Sequence, residues 1–105
     1  MQQKEYNGRV FMVNEDGFLA DYDSFDENWT ALIAQEEKVE EITPDHMRVL
    51  EVIRGYYAEN GIAPMLRILT KASGFDIKYI YQLFPTGPGK GACRMAGLPK
   101  STGCI

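Results

Sequence analysis
The side chains best suited to covalent chemistry in this chain of 105 residues are its two cysteines, Cys93 and the penultimate Cys104. Ten residues lie between them, among them Gly97, Pro99 and Gly103, a composition that lets the chain fold back and bring two sulfurs together. The reactive form of a thiol is the thiolate, which neighbouring cations favour. Lys90 and Arg94 stand within a helical turn of Cys93, and Lys100 stands near Cys104, where the terminal carboxylate opposes it. The bland alternatives are two inert thiols or a static staple. Inert cysteines are usually buried, whereas these lie in a Gly/Pro-rich stretch, and a staple there would tie a tail to itself and brace no core. The pattern points to thiol–disulfide exchange at Cys93 and Cys104, with Lys90, Arg94 and Lys100 as candidate binding cations for sulfur oxyanions or an acidic partner.

Other chemistries fit less well. A structural zinc site takes four ligands, typically Cys or His, and the chain offers two cysteines and His46, so no bound metal or cofactor is expected. His46 falls in the first turn of an expected helix, where a surface or half-buried histidine is the expectation. Thr86-Gly-Pro-Gly-Lys-Gly91 looks like a phosphate loop, but Phe84 and Gly91 stand where that loop needs Gly and Ser or Thr, and Pro88 removes an amide. It reads as a hinge. Gly74-Phe75-Asp76 sits between two expected short helices and suggests a helix-turn-helix, yet Arg67, Lys71, Lys78 and Gln82 make a sparse surface for reading DNA. The acidic runs Asp21–Asp23, Glu36-Glu37 and Glu40-Glu41 read as solvated faces rather than as a paired-carboxylate site.

The elements that must carry the thiols are mostly helical. Asn7-Gly8 between β-prone flanks predicts a type I′ hairpin over residues 4–13, and Asn14-Glu-Asp-Gly17 a second turn. A first helix is expected from about Asp26 to Lys38, capped by Ser24 or Asp26, with Trp29, Leu32 and Ile33 on one face. Thr43-Pro44-Asp45 opens a second, which Gly61 ends. Ala63-Pro64 opens a third through about Lys71, apolar nearly all round and hence expected to be buried. Gly74 stops it, and Asp76 caps a fourth that runs to Pro85. From Pro85 onward the chain holds five of its ten glycines and three of its five prolines. The expected architecture is a small, mostly α (α+β) orthogonal helical body with an N-terminal hairpin, residues 1–84, followed by a flexible C-terminal arm, residues 85–105, with at most one helical turn around Ala92–Ala96.

Composition bounds the setting. A single domain with 45% hydrophobic and 25% charged residues is ordinary for a soluble globular protein, and no apolar run approaches a membrane span. Without a signal-peptide pattern at Met-Gln-Gln-Lys-Glu-Tyr, a cytoplasmic location is expected, where disulfides tend to be transient. Residues 1–63 carry 14 acidic and 5 basic side chains, whereas residues 64–105 carry 1 and 6, so an acidic front faces a basic back.

The stretches Gly-Ile-Ala-Pro-Met-Leu-Arg-Ile-Leu (61–69) and Leu-Phe-Pro-Thr-Gly-Pro-Gly-Lys-Gly-Ala-Cys-Arg-Met-Ala-Gly-Leu-Pro-Lys (83–100), with the penultimate cysteine, resemble the DsrC/TusE family. The resemblance runs weakly through residues 1–60 and strongly from Gly61 on. Ser101 stands where many members carry Pro, which leaves both thiols in register. The resemblance implies a sulfur carrier and co-substrate rather than a stand-alone enzyme. Its partners would be the alpha and beta subunits of dissimilatory sulfite reductase, which hold the siroheme and iron–sulfur centres. Cys104 would receive partially reduced sulfur, Cys93 would close a disulfide or trisulfide with it, and a heterodisulfide-reductase-like membrane complex would reduce that species. Relatives in sulfur oxidisers load Cys104 from sulfurtransferases instead. TusE-type relays toward tRNA thiolation usually lack the thiol at Cys93. That relay, and a nucleic-acid-binding regulator built on the helix-turn-helix look, are the alternatives.

Overall fold
The computed structural model describes residues 2–99. Strands β1 (Gln2–Tyr6) and β2 (Arg9–Val13) pair antiparallel with Tyr6 opposite Arg9. Asn7 and Gly8 make the two-residue connection with φ of 54° and 84°, the paired positive values that a type I′ turn demands. Alternation along β2 buries Phe11 and Val13 and leaves Val10 and Met12 outside. The expected second turn also forms. The Asn14 side chain accepts the N–H groups of Asp16 and Phe18, and a return through Leu19 bridges to Val13. Phe11 then meets Trp29 edge-on, ring centroids 5.4 Å apart, which seats the hairpin on the first helix.

That helix, α1, spans Glu27–Glu36 with the Asp26 carboxylate accepting the N–H of Asn28. Helix α2, Pro44–Asn60, starts at a Thr43 cap and stops at left-handed Gly61, as the sequence predicts. Helix α3 (Leu66–Ser73) ends at Gly74, and α4 (Ile77–Leu83) is capped by Asp76, which accepts from Tyr79 N–H. The mostly helical reading with an N-terminal hairpin therefore holds.

Two expectations do not. Helix α3 is not buried all round: Leu69 and Ser73 are buried, but Leu66 and Ile68 are half-buried and Met65 before it is 51% exposed. It packs on α2 and α4 from one side only, so its apolar residues exceed the core available to it. The second correction concerns residues 85–99, expected as the start of a flexible arm. A wide, π-type helical turn runs over Pro88–Cys93 and continues as helix through 94–95. Ala92, Cys93, Met95, Ala96 and Leu98 are as buried as Trp29 and Phe11. Small residues permit this, because Gly91, Ala92 and Ala96 let the backbone approach the body closely. A Cβ on Gly91 would lie 2.7 Å from Thr86 Oγ1 and 3.3 Å from Phe84 Cβ. The expected hinge is a packed corner. The boundary drawn at residue 84 therefore cuts through the core, and the remainder of the expected arm, 100–105, lies outside the described residues.

Candidate functional site
Cys93 stands in the last turn of this C-terminal helical segment. Gly97 adopts the left-handed conformation, φ 81°, and the chain reverses there. Leu98 N–H reaches back to Cys93 O at 3.2 Å, and Gly97 N–H to Arg94 O at 3.1 Å, the paired bonds of a Schellman stop. The last carbonyls of a helix lack intrahelical partners and need donors from elsewhere. Here distant side chains supply them. Trp29 Nε1–H donates to Arg94 O (2.7 Å), Thr30 Oγ1–H to Met95 O (2.9 Å) and Arg54 Nη1–H to Ala96 O (2.7 Å), and beyond the stop Asn14 Nδ2–H donates to Pro99 O (2.7 Å). The segment bearing Cys93 is thereby gripped by α1, α2 and the hairpin's return turn. Cys93 itself is fully buried and disulfide-bonded. Cys104 and Lys100 lie outside the described residues.

Arg94, expected as a cation serving the thiol or a bound anion, points elsewhere. Its Nε–H donates to Gly17 O (2.6 Å), while its two terminal nitrogens meet Glu36 Oε1 (2.6 Å) and Glu37 Oε1 (3.1 Å). Its side chain is only 14% exposed. Glu36 is the last residue of α1, whose final turn has no basic residue of its own, so Arg94 supplies the cation that a helix C-terminus favours. Lys4 Nζ holds the other oxygen of Glu36 at 2.6 Å. Burial pushes the Glu36 carboxyl up, but hydrogen bonds and charge from Lys4 and Arg94 outweigh it and hold the group below its ordinary value. Arg94 is an anchor between the Cys93 segment, the Gly17 turn and α1. The run Glu36-Glu37, expected as a solvated face, is its counter-charge. Lys90 belongs to the π-type turn over Pro88–Cys93.

His46, expected at the surface or half-buried, is 6% exposed and structural. Thr43 N–H donates to Nδ1 (3.1 Å), which puts the ring proton on Nε2, and Nε2–H donates to Leu83 O (2.8 Å). The ring also meets Phe84 edge-on at 5.2 Å. It ties the start of α2 to the end of α4, where the chain turns toward the Cys93 segment. Among the described residues no group of His, Cys, Asp and Glu side chains converges as metal ligands, and no helix is long and apolar enough to cross a membrane. Arg67, Lys71, Lys78 and Gln82 are all exposed on α3 and α4.

Cys93 stands out in the sequence by residue type, whereas the side chains that hold its segment do not. One signal was present: Ala96-Gly97-Leu98-Pro99 is the Gly-then-Pro pattern that stops a helix, which implies a helix before it. No local signal marks Arg54 or Trp29, whose partners lie 42 and 65 residues away.

A sequence-family model described as "DsrC like protein" matches residues 5–105. The chain is 50% identical, over the full length of both, to the sulfite reductase, dissimilatory-type subunit gamma, of Nitratidesulfovibrio vulgaris. It is 32% identical to the sulfurtransferase TusE of Escherichia coli K12, covering 95% of this chain and 97% of that one. Among solved structures it resembles the oxidized gamma subunit of the dissimilatory sulfite reductase from Archaeoglobus fulgidus, at TM-score 0.87 and 37% identity over 99% of this chain and all of the other. The crystal structure of dissimilatory sulfite reductase I matches at TM-score 0.93 and 48% identity over the same shares.

Proposed function
The chain belongs to the DsrC-like family, and from that premise we propose that it is the gamma-type subunit of a dissimilatory sulfite reductase, acting as its sulfur carrier and co-substrate. The observation that carries the reading is the full-length 50% identity to such a subunit. A buried, disulfide-bonded Cys93 near a helix end held by distant donors supports it, because a resolving cysteine acts best from a fixed place. In this reading Cys104 receives partially reduced sulfur from the siroheme-bearing alpha and beta subunits as Cys104–S–S–OH, and the Cys93 thiol displaces the hydroxyl as water to close the bridge. The trisulfide so formed takes up four electrons and four protons, giving back two thiols and releasing one hydrogen sulfide. A heterodisulfide-reductase-like membrane complex supplies those electrons, and the cycle runs in the cytoplasm. Lys90 and Lys100 remain candidate binding cations, while Arg94 anchors the segment.

Intact mass spectrometry after incubation with a sulfite reductase and an electron donor tests this. The expected result is one added sulfur, mapped to the Cys93 and Cys104 peptides and removed by a thiol reductant. Cys104→Ala abolishes loading; Cys93→Ala leaves a persulfide on Cys104 and no intramolecular bridge. A trisulfide within one chain of the Cys93 variant overturns the assignment. The likeness to TusE keeps a relay toward tRNA thiolation as the second reading, which loading from a sulfurtransferase but never from sulfite reductase would favour.

A further inference from the structure
Among the described side chains that donate to the carbonyls of residues 94–99, Arg54 alone is charged. Its guanidinium lies 3.9 Å from the ring centroid of Phe25 and 4.3 Å from that of Tyr22, and it donates to Ala96 O at 2.7 Å. No carboxylate pairs with it among the described residues, where the ion pairs are those of Lys4, Arg9 and Arg94. A half-buried cation without a counter-ion is costly unless dipoles and aromatic faces replace one. Both are present: the Ala96 carbonyl belongs to the negative end of the helical segment, and two rings flank the plane. Phe25 in turn fills the space that Gly97 leaves. A Cβ on Gly97 would lie 2.2 Å from Phe25 Cδ1. Arg54, Phe25 and Gly97 thus form one stack that closes the helix end three residues after Cys93.

We propose that Arg54 is a positioning residue for the Cys93 bridge. By fixing the Ala96 carbonyl it keeps the Cys93 turn folded in the dithiol form, so that Cys93 stays in place for the bridge to close. Bridge strength between two thiols in one chain is set by effective concentration, which falls when the acceptor segment must be ordered at the same time. The inference rests on the carrier reading above.

The test is the dithiol–disulfide equilibrium of the full chain against glutathione. Oxidised glutathione takes two electrons and two protons from the Cys93 and Cys104 thiols and becomes two molecules of reduced glutathione, while the protein gains one S–S bond. Acid-quenched samples are read by intact mass. Arg54→Met is expected to weaken the bridge about tenfold, or about 30 mV for this couple. Arg54→Lys, which keeps a donor and a charge but not the flat plane, is expected to recover about half of that loss on a logarithmic scale. Leu69→Ala, in the α3 core, serves as the stability control: it lowers Tm and leaves the equilibrium within about twofold of wild type. An Arg54→Met chain that loses Tm but holds the wild-type equilibrium overturns the inference and leaves Arg54 a merely structural residue. Should Arg54→Met fail to fold, Arg54→Lys and Phe25→Leu are held to the same criterion. The measurement needs no sulfite reductase, so failure to load sulfur with the bridge intact defeats the carrier reading separately. A wild-type chain that forms no bridge defeats both.

Discussion
Gly74 and Gly97 end two helical segments of this molecule with the same backbone angle, φ 81°, and in unlike surroundings. A Cβ on Gly74 would meet nothing within 4 Å, whereas one on Gly97 would enter the ring of Phe25. The helix before Gly74 is apolar in sequence but buries little beyond Leu69 and Ser73, and its cap residue Met65 makes no side-chain cap bond. The segment before Gly97 is rich in small residues and buries Ala92, Cys93, Met95 and Ala96, with its terminal carbonyls taken by Trp29, Thr30 and Arg54. Apolar content brings a helix to the surface of a core. Small side chains and distant donors bring a backbone into it. The segment held in this way is the one that carries the buried, disulfide-bonded Cys93.

The comparison is broken most directly by alanine at the two glycines. Gly97→Ala adds overpacking against Phe25 to the left-handed strain and should cost about 3 kcal/mol, whereas Gly74→Ala bears the strain alone, about 1 kcal/mol. Urea denaturation of both variants gives the difference, and equal losses would mean that Phe25 yields freely. Next in size is Thr30→Val, nearly isosteric, which leaves the buried Met95 carbonyl without its donor and should cost about 1–2 kcal/mol in the same experiment. The smallest effect belongs to the Arg94 anchor. Glu36 has a lowered pKa in the folded chain, so its contribution is fully present above the ordinary carboxylate value and is lost as pH falls through the lowered one. Glu36→Gln should therefore lower stability by about 0.5–1 kcal/mol at neutral pH and by nothing at acid pH below that value. A difference that persists in acid would show that packing, not charge, joins Glu36 to Arg94.

Local chemistry made much of the fold legible. Asn7-Gly8, Asp26, Thr43-Pro44, Gly61, Gly74 and Asp76 each act through bonds to residues a few positions away, and each turn or cap forms where the sequence puts it. Residue type and spacing drew attention to Cys93, and its bonded, buried state is a finding of the structure. Exposure was not legible. The apolar run Met65–Leu69 suggested burial and the Gly/Pro run from residue 85 suggested freedom, and in both the number of neighbours in space reversed the inference from composition.

The sequence by itself determined where this chain turns and where most of its helices start and stop, and it singled out Cys93 and Cys104 by residue type and spacing. Those properties follow from backbone preferences, caps and reactive groups that act over a few residues. Only the tertiary structure decided that Cys93 is held rather than carried on an arm. That outcome depends on Trp29 and Thr30 meeting carbonyls 65 positions later, on Arg54 meeting one 42 positions later, and on Arg94 reaching back to Gly17 and Glu36. Bonds between groups so far apart in the chain form only once the core has brought them together, and no local pattern encodes them.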